Sequence, residues 1–197
     1  MNDLATNHRF ILGIAGKPAS GKSEVLSVLG DVGWRPIDAD KIVHDLYREG
    51  EPGCRKIVDF FGEDYLSENG DVDRVKLRGL VFDDLRKLKI LNNLIHPLVH
   101  SEILAQIQAV SGENVAIEAI HFDPAVFEEI LDGVLYVERE EAALREVLEG
   151  RGLSDRQIDG VLGAFVEPFA KDLVIENNSS LEELEKKVII SIDKLIS

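Results

Sequence analysis

Phe10-Ile11-Leu12-Gly13-Ile14-Ala15-Gly16-Lys17-Pro18-Ala19-Ser20-Gly21-Lys22-Ser23 decides the fold. Phe10 to Ala15 is an apolar, branched run of the kind a strand shows when both faces of its sheet are covered. Helical spacing begins after Ser23, where Val25, Leu26, Val28 and Leu29 recur on one face until Gly30 and Gly33 close the pattern. Between strand and helix stands Gly-x-x-x-x-Gly-Lys-Ser, the spacing of a phosphate-cradling loop.

Each position in that loop has a physical task. Gly16 and Gly21 let the backbone wrap closely around phosphate oxygens, and Lys17, Pro18, Ala19 and Ser20 complete the turn between them. The amides of the loop and of the following helix N-terminus offer donors, and Pro18 removes one of them. Lys22 has the reach to contact β- and γ-phosphates, and the hydroxyl of Ser23 is a ligand for Mg²⁺. The pattern therefore predicts an ATP and Mg²⁺ site.

The 197 residues, 45% of them hydrophobic, suit one compact α/β domain with room for a small appended subdomain. Thirty-seven acidic side chains against 22 Lys and Arg give a net charge of −15, a field that repels nucleic acid and anionic membrane. An anionic ligand must then be held locally, by a few cations and backbone amides. No apolar run approaches the ~20 residues of a membrane span, and the N-terminus lacks the grammar of a secretion signal, so a cytoplasmic protein is expected. Cys54, the single cysteine, permits no internal disulfide and reads as an ordinary thiol near the start of a helix.

Further along, Trp34–Asp38 is a second strand, weakened by Pro36 and ending in acid. Helical patterns follow at 42–47, 54–61, 75–82 and 85–110. Strand patterns return at 114–118, 133–137 and 172–175, interleaved with helices at 140–149, 154–163 and 180–196. Strands alternating with helices predict a parallel sheet covered on both faces, and the long helical insertion after the second strand predicts a separate substrate-side subdomain.

Ligands of open α/β sheets bind at the carboxyl ends of the strands, which draws attention to Asp38 and Asp40. Read as extended chain, the two carboxylates share one face and line the site; read as a helix start, Asp40 serves the helix N-terminus instead. Asp40 is the candidate to accept or orient the proton of an attacking hydroxyl, with Asp38 as the lesser candidate. Glu118 closes the third strand, where a carboxylate can hold Mg²⁺ through water. Arg74, Lys76 and Arg78 form a cationic cluster in an otherwise acidic chain, suited to an anionic substrate or, alternatively, to pairing with Asp71, Asp73 or Asp83.

Together these pieces resemble the dephospho-coenzyme A kinase family over most of the chain. The resemblance is carried by Gly16 to Ser23, by Ile37-Asp38-Ala39-Asp40-Lys41-Ile42-Val43-His44, by Glu51-Pro52-Gly53 and by Ile57-Val58-Asp59-Phe60-Phe61-Gly62. Asp73 to Phe82 and Leu94-Ile95-His96-Pro97-Leu98-Val99 extend it, in matching order and approximate spacing.

The resemblance implies a three-layer α/β P-loop kinase with a five-stranded parallel sheet, a helical coenzyme-binding subdomain at 41–110 and a lid at 139–171, all within one domain spanning 1–197. It implies ATP-dependent phosphorylation of the ribose 3′-hydroxyl of dephospho-coenzyme A by a monomer or weak homo-oligomer. By carry-over, Asp40 is the catalytic aspartate, while Arg74, Arg78 and His96 are substrate-side residues; for His96, a satisfied histidine beside Pro97 is the alternative.

The chain also departs from the family pattern. Glu118 keeps the acid, but Ala119-Ile120-His121-Phe122-Asp123-Pro124 stands where Pro-Leu-Leu is usual, and His121 reads either as a pocket residue or as an exposed loop residue. In the lid, Arg151-Gly152-Leu153-Ser154 survives, while Arg145 is off register and no glutamine matches. Arg145, Arg151 and Arg156 are candidates for the ATP phosphates or plain surface charges. Two rival readings stay open from sequence alone: a kinase for another hydroxyl compound, and a nucleotide-binding regulator without turnover.

Overall fold

The computed structural model describes residues 9–82 and 84–196. Five strands, β1 (Ile11–Ala15), β2 (Arg35–Asp38), β3 (Val115–Glu118), β4 (Gly133–Glu138) and β5 (Leu173–Glu176), form one sheet in the order β2-β3-β1-β4-β5. Every pairing is parallel. β1 and β3 are buried throughout, as their unbroken apolar runs require. β2 takes an edge, where Pro36 removes no ladder bond that the sheet depends on.

By contacts the chain divides into two units, Met1–Asp38 with Val110–Ser197, and Ala39–Ala109. The first holds the sheet. Its core joins Leu12 and Ile14 of β1 to Val25 and Leu29 of α1 (Lys22–Asp31) and to Leu184, Val188 and Ile192 of α9 (Leu181–Leu195). The opposite face is reached through Gly13, where a Cβ would stand 2.7 Å from the Leu131 side chain and 3.3 Å from Phe122. Phe122 and Phe127 meet edge to face there, ring centres 5.4 Å apart.

The amino-terminal rim of the sheet is closed by side chains. Asn114 Oδ1 accepts from Phe10 N, Asp132 Oδ2 from Ile11 N and Asp172 Oδ2 from Val134 N, each at 2.8 Å. Donors that would otherwise end the ladder unpaired are satisfied. The opposite rim, at the carboxyl ends of the strands, is left to the functional loops.

The second unit is helical: α2 (Ala39–Leu46), α3 (Pro52–Phe61), α4 (Arg74–Phe82) and the long α5 (Leu85–Ala109), against which the other three pack. α5 continues through Pro97. Remaining in the first unit are α6 (Pro124–Phe127), α7 (Glu141–Gly150) and α8 (Asp155–Gly163). Ser154 opens α8 with a reciprocal capping box to Gln157. No helix among the described residues is long and apolar enough to cross a membrane.

Candidate active site

The phosphate loop forms the turn from β1 into α1. Gly16 (φ 154°) and Gly21 (φ 102°) adopt backbone conformations that L-residues avoid. A Cβ on Gly16 would lie 2.6 Å from the Val137 carbonyl oxygen and 2.7 Å from Ser20 Oγ. Ala19 is also left-handed, at φ 67°, without glycine's freedom. Backbone strain of this kind persists only where surrounding structure holds it, and it concentrates at ligand sites.

Lys22 is buried, and its Nζ donates to the carbonyls of Gly16 and Lys17, each at 3.1 Å. These bonds hold the ammonium against the loop. Ser23 Oγ donates to Glu118 Oε1 at 3.0 Å. Sheet order explains this meeting: β3 pairs with β1, so the end of β3 lies beside the loop that leaves β1.

Asp38 stands in register with Glu118 on the neighbouring strand, so both side chains leave the same face of the sheet. A hydroxyl and carboxylates are hard oxygen donors that suit Mg²⁺, which commonly binds through one or two carboxylates and retains water. The donor set therefore fits the ion, with Ser23 and Glu118 as the residues that would hold it.

Sequence reasoning missed the outer fastening of the loop. Asn177, just past β5, donates from Nδ2 to the Ser20 carbonyl at 2.9 Å, and Arg139, just past β4, donates from Nη1 to the Ala19 carbonyl at 3.4 Å. Asn178 Oδ1 accepts from Glu140 N at 2.9 Å, fixing the start of α7. Glu138, Arg139, Glu140, Glu176 and Asn178 line an open depression beside these contacts.

In the 139–171 segment, Arg145 is engaged by Glu141 at 3.3 Å and, more closely, by Asp159. Arg151 is exposed at the end of α7. Lys171 anchors the far end of the segment, 3.8 Å above the Tyr136 ring and paired with Glu167.

Asp40 lies in the first turn of α2, which already begins at Ala39. It therefore does not share an extended face with Asp38; a carboxylate in a first helical turn is favoured by the amide dipoles there. Arg74 and Arg78 are exposed on α4, and among the described residues neither makes an ion pair. Asp73 pairs instead with Lys76, at 3.7 Å. Asp83 lies outside the described residues.

His96 is exposed on α5, one turn from His100, with ring centres 6.0 Å apart. His121 is an exposed loop residue. Cys54 is buried, and burial pushes its thiol up, away from the thiolate that a nucleophile needs.

A family model described as dephospho-CoA kinase matches residues 10–183. The chain belongs to the dephospho-CoA kinase family. A dephospho-CoA kinase of Carboxydothermus hydrogenoformans is 33% identical over 195 residues, covering 93% of each chain. One of Fusobacterium nucleatum is 35% identical, covering 90% of this chain and 94% of its own. Among solved structures, a Thermus thermophilus protein superposes with a TM-score of 0.70 at 28% identity, covering 95% of this chain and 98% of the other. The Pro-Leu-Leu departure at Ala119–Phe122 and the off-register Arg145 thus fall within a chain that keeps the family's fold and its phosphate loop.

Proposed function

We propose that this chain transfers the γ-phosphoryl group of ATP to the ribose 3′-hydroxyl of dephospho-coenzyme A. The observation that carries the reading is the contact of Ser23 with Glu118 beside a loop that stores the buried Lys22 ammonium, in a chain of this family. Phosphoryl transfer asks mainly for positioning and charge neutralisation, and the loop residues Gly16–Ser23 supply both.

Lys22 neutralises charge on the β- and γ-phosphates. Ser23 and Glu118 would hold Mg²⁺, which would add neutralisation of the triphosphate; Asp38, in register beside Glu118, faces the acceptor. Asp40 orients and accepts the proton of the attacking hydroxyl. Arg74, Arg78 and His96 bind the acceptor, and two exposed guanidinium groups on one helix suit its anionic phosphates. Residues 41–110 are the coenzyme-binding part, 139–171 the lid, and Arg151 the lid cation directed at ATP.

The test is ADP release from ATP with dephospho-coenzyme A, adenosine or pantetheine as acceptor. Release stimulated by dephospho-coenzyme A alone supports the reading. Release that is equal with adenosine moves the acceptor assignment to another hydroxyl compound.

A further inference from the structure

Asn177 is 157 residues from Ser20 in sequence, yet its side chain ends on the Ser20 carbonyl at 2.9 Å. Both residues are buried, Ser20 completely. The acceptor is a carbonyl, so the atom facing it must be the amide nitrogen, the only donor the asparagine side chain has. The main chain of Asn177 is itself fixed, its N–H donating to the Glu138 carbonyl at 2.8 Å where β4 and β5 end. The bond thus runs from the rigid rim of the sheet to the outer side of the phosphate loop.

The Ser20 carbonyl and the Gly21 N–H belong to one peptide unit. All peptide bonds among the described residues are trans, and in a trans unit carbonyl and N–H point in opposite directions. Holding the carbonyl outward therefore holds the Gly21 N–H toward the side of the loop that faces phosphate. Close approach is possible only because Gly21 lacks a side chain: a Cβ there would stand 2.1 Å from Asn177 Nδ2 and 3.3 Å from its Cγ. The second glycine of the loop accommodates Asn177 as well as its own φ of 102°.

We propose that Asn177 is a positioning residue for nucleotide binding, which fixes the Ser20–Gly21 peptide so that the Gly21 N–H is already aimed at a phosphate oxygen when nucleotide arrives. A loop fixed beforehand loses less conformational freedom on binding, and this is where the affinity comes from. Arg139 on the Ala19 carbonyl, at 3.4 Å, is a longer and weaker version of the same fastening.

The inference rests on the loop being a nucleotide site, and ADP with Mg²⁺ is the probe, since its binding does not depend on the acceptor. Asn177→Asp has nearly the same shape but presents a carboxylate oxygen, not a donor, to the Ser20 carbonyl. Calorimetry should show ADP affinity lowered about tenfold or more, equivalent to ~1.4 kcal/mol, with binding still at one site per chain. An affinity within about twofold of wild type overturns the role of Asn177, whereas wild-type protein that does not bind ADP overturns the nucleotide-site reading itself.

A second measurement uses wild-type protein alone. The Asn177 side-chain amide protons should exchange slowly with solvent, and their resonances should shift when ADP binds. Exchange at the rate of a free amide, or no shift at saturating ADP, overturns the proposal whether or not the variant folds.

Discussion

Ser23 Oγ donates to Glu118 Oε1 at 3.0 Å, although the two residues lie 95 positions apart in sequence. Glu118 is buried, and a buried carboxylate needs partners that compensate its lost hydration. The helix start after β1 provides one such partner, which places two oxygen donors at the mouth of the phosphate loop. Glu118→Gln keeps the size of the side chain but removes its charge. Activity should fall about 10–100-fold, with a higher Mg²⁺ concentration needed for half-maximal rate. Unchanged Mg²⁺ dependence in a titration of rate would remove Glu118 from the metal site.

Lys22→Ala removes the charge stored against the Gly16 and Lys17 carbonyls. Turnover should drop about 10³-fold, because the lost interaction is aimed at charge on the transferring group. Steady-state rates at saturating ATP measure this; near-normal turnover excludes Lys22 from catalysis.

Asp40→Asn keeps the shape of the side chain in the first turn of α2 and takes away the carboxylate proposed to accept the proton. A fall of about 10²-fold in kcat is expected, smaller than that for Lys22→Ala, because phosphoryl transfer depends less on deprotonation than on charge neutralisation. ADP affinity should stay at the wild-type value. A loss confined to ADP affinity would assign Asp40 to nucleotide binding.

Asp73 caps α4: its Oδ1 accepts from Lys76 N at 3.1 Å and Val75 N at 3.0 Å. Led by the bond from Lys76, these interactions hold its carboxyl below the ordinary 3.8. A depressed folded-state value means that the stabilisation is fully present above pH 3.8 and is lost as pH falls through the lower folded value. Thermal midpoints followed by circular dichroism should therefore decline below that pH in wild type, and decline less steeply in Asp73→Ala. Parallel acid profiles for the two proteins contradict the capping role.

The fold was legible where the information is local. Strand, loop and helix around Gly16–Ser23 follow from one apolar run, two glycines and one periodic segment, and Pro36 marked β2 as a weaker strand, which the structure places at the edge of the sheet. The start of α2 was not legible: Ile37-Asp38-Ala39-Asp40 fits an extended stretch as well as a helix start, and only the turn beginning at Ala39 separates Asp38 from Asp40. The short α6 was overlooked although Asp123-Pro124 is a helix-start signal, the aspartate accepting from Ala125 N and the proline at the first helical position.

The phosphate-loop turn was legible in the sequence, and the partners of its side chains and carbonyls were not. Glu118 could be placed at a strand end, but its pairing with Ser23 depends on β3 lying next to β1, an order that no local pattern encodes. Asn177 carries no local signal at all. Asn177-Asn178 after a strand looks like any turn, and its meaning comes from the Ser20 carbonyl that the sheet brings beside it.

Phosphoryl transfer to the ribose 3′-hydroxyl is read directly by mass spectrometry of the product formed from ATP, Mg²⁺ and dephospho-coenzyme A. Coenzyme A, identical to the authentic compound in fragmentation and phosphorylated at the ribose 3′-position, is expected in amounts equal to the ADP released. Protein that binds ATP yet forms no coenzyme A, or places the phosphate at another hydroxyl, would contradict it.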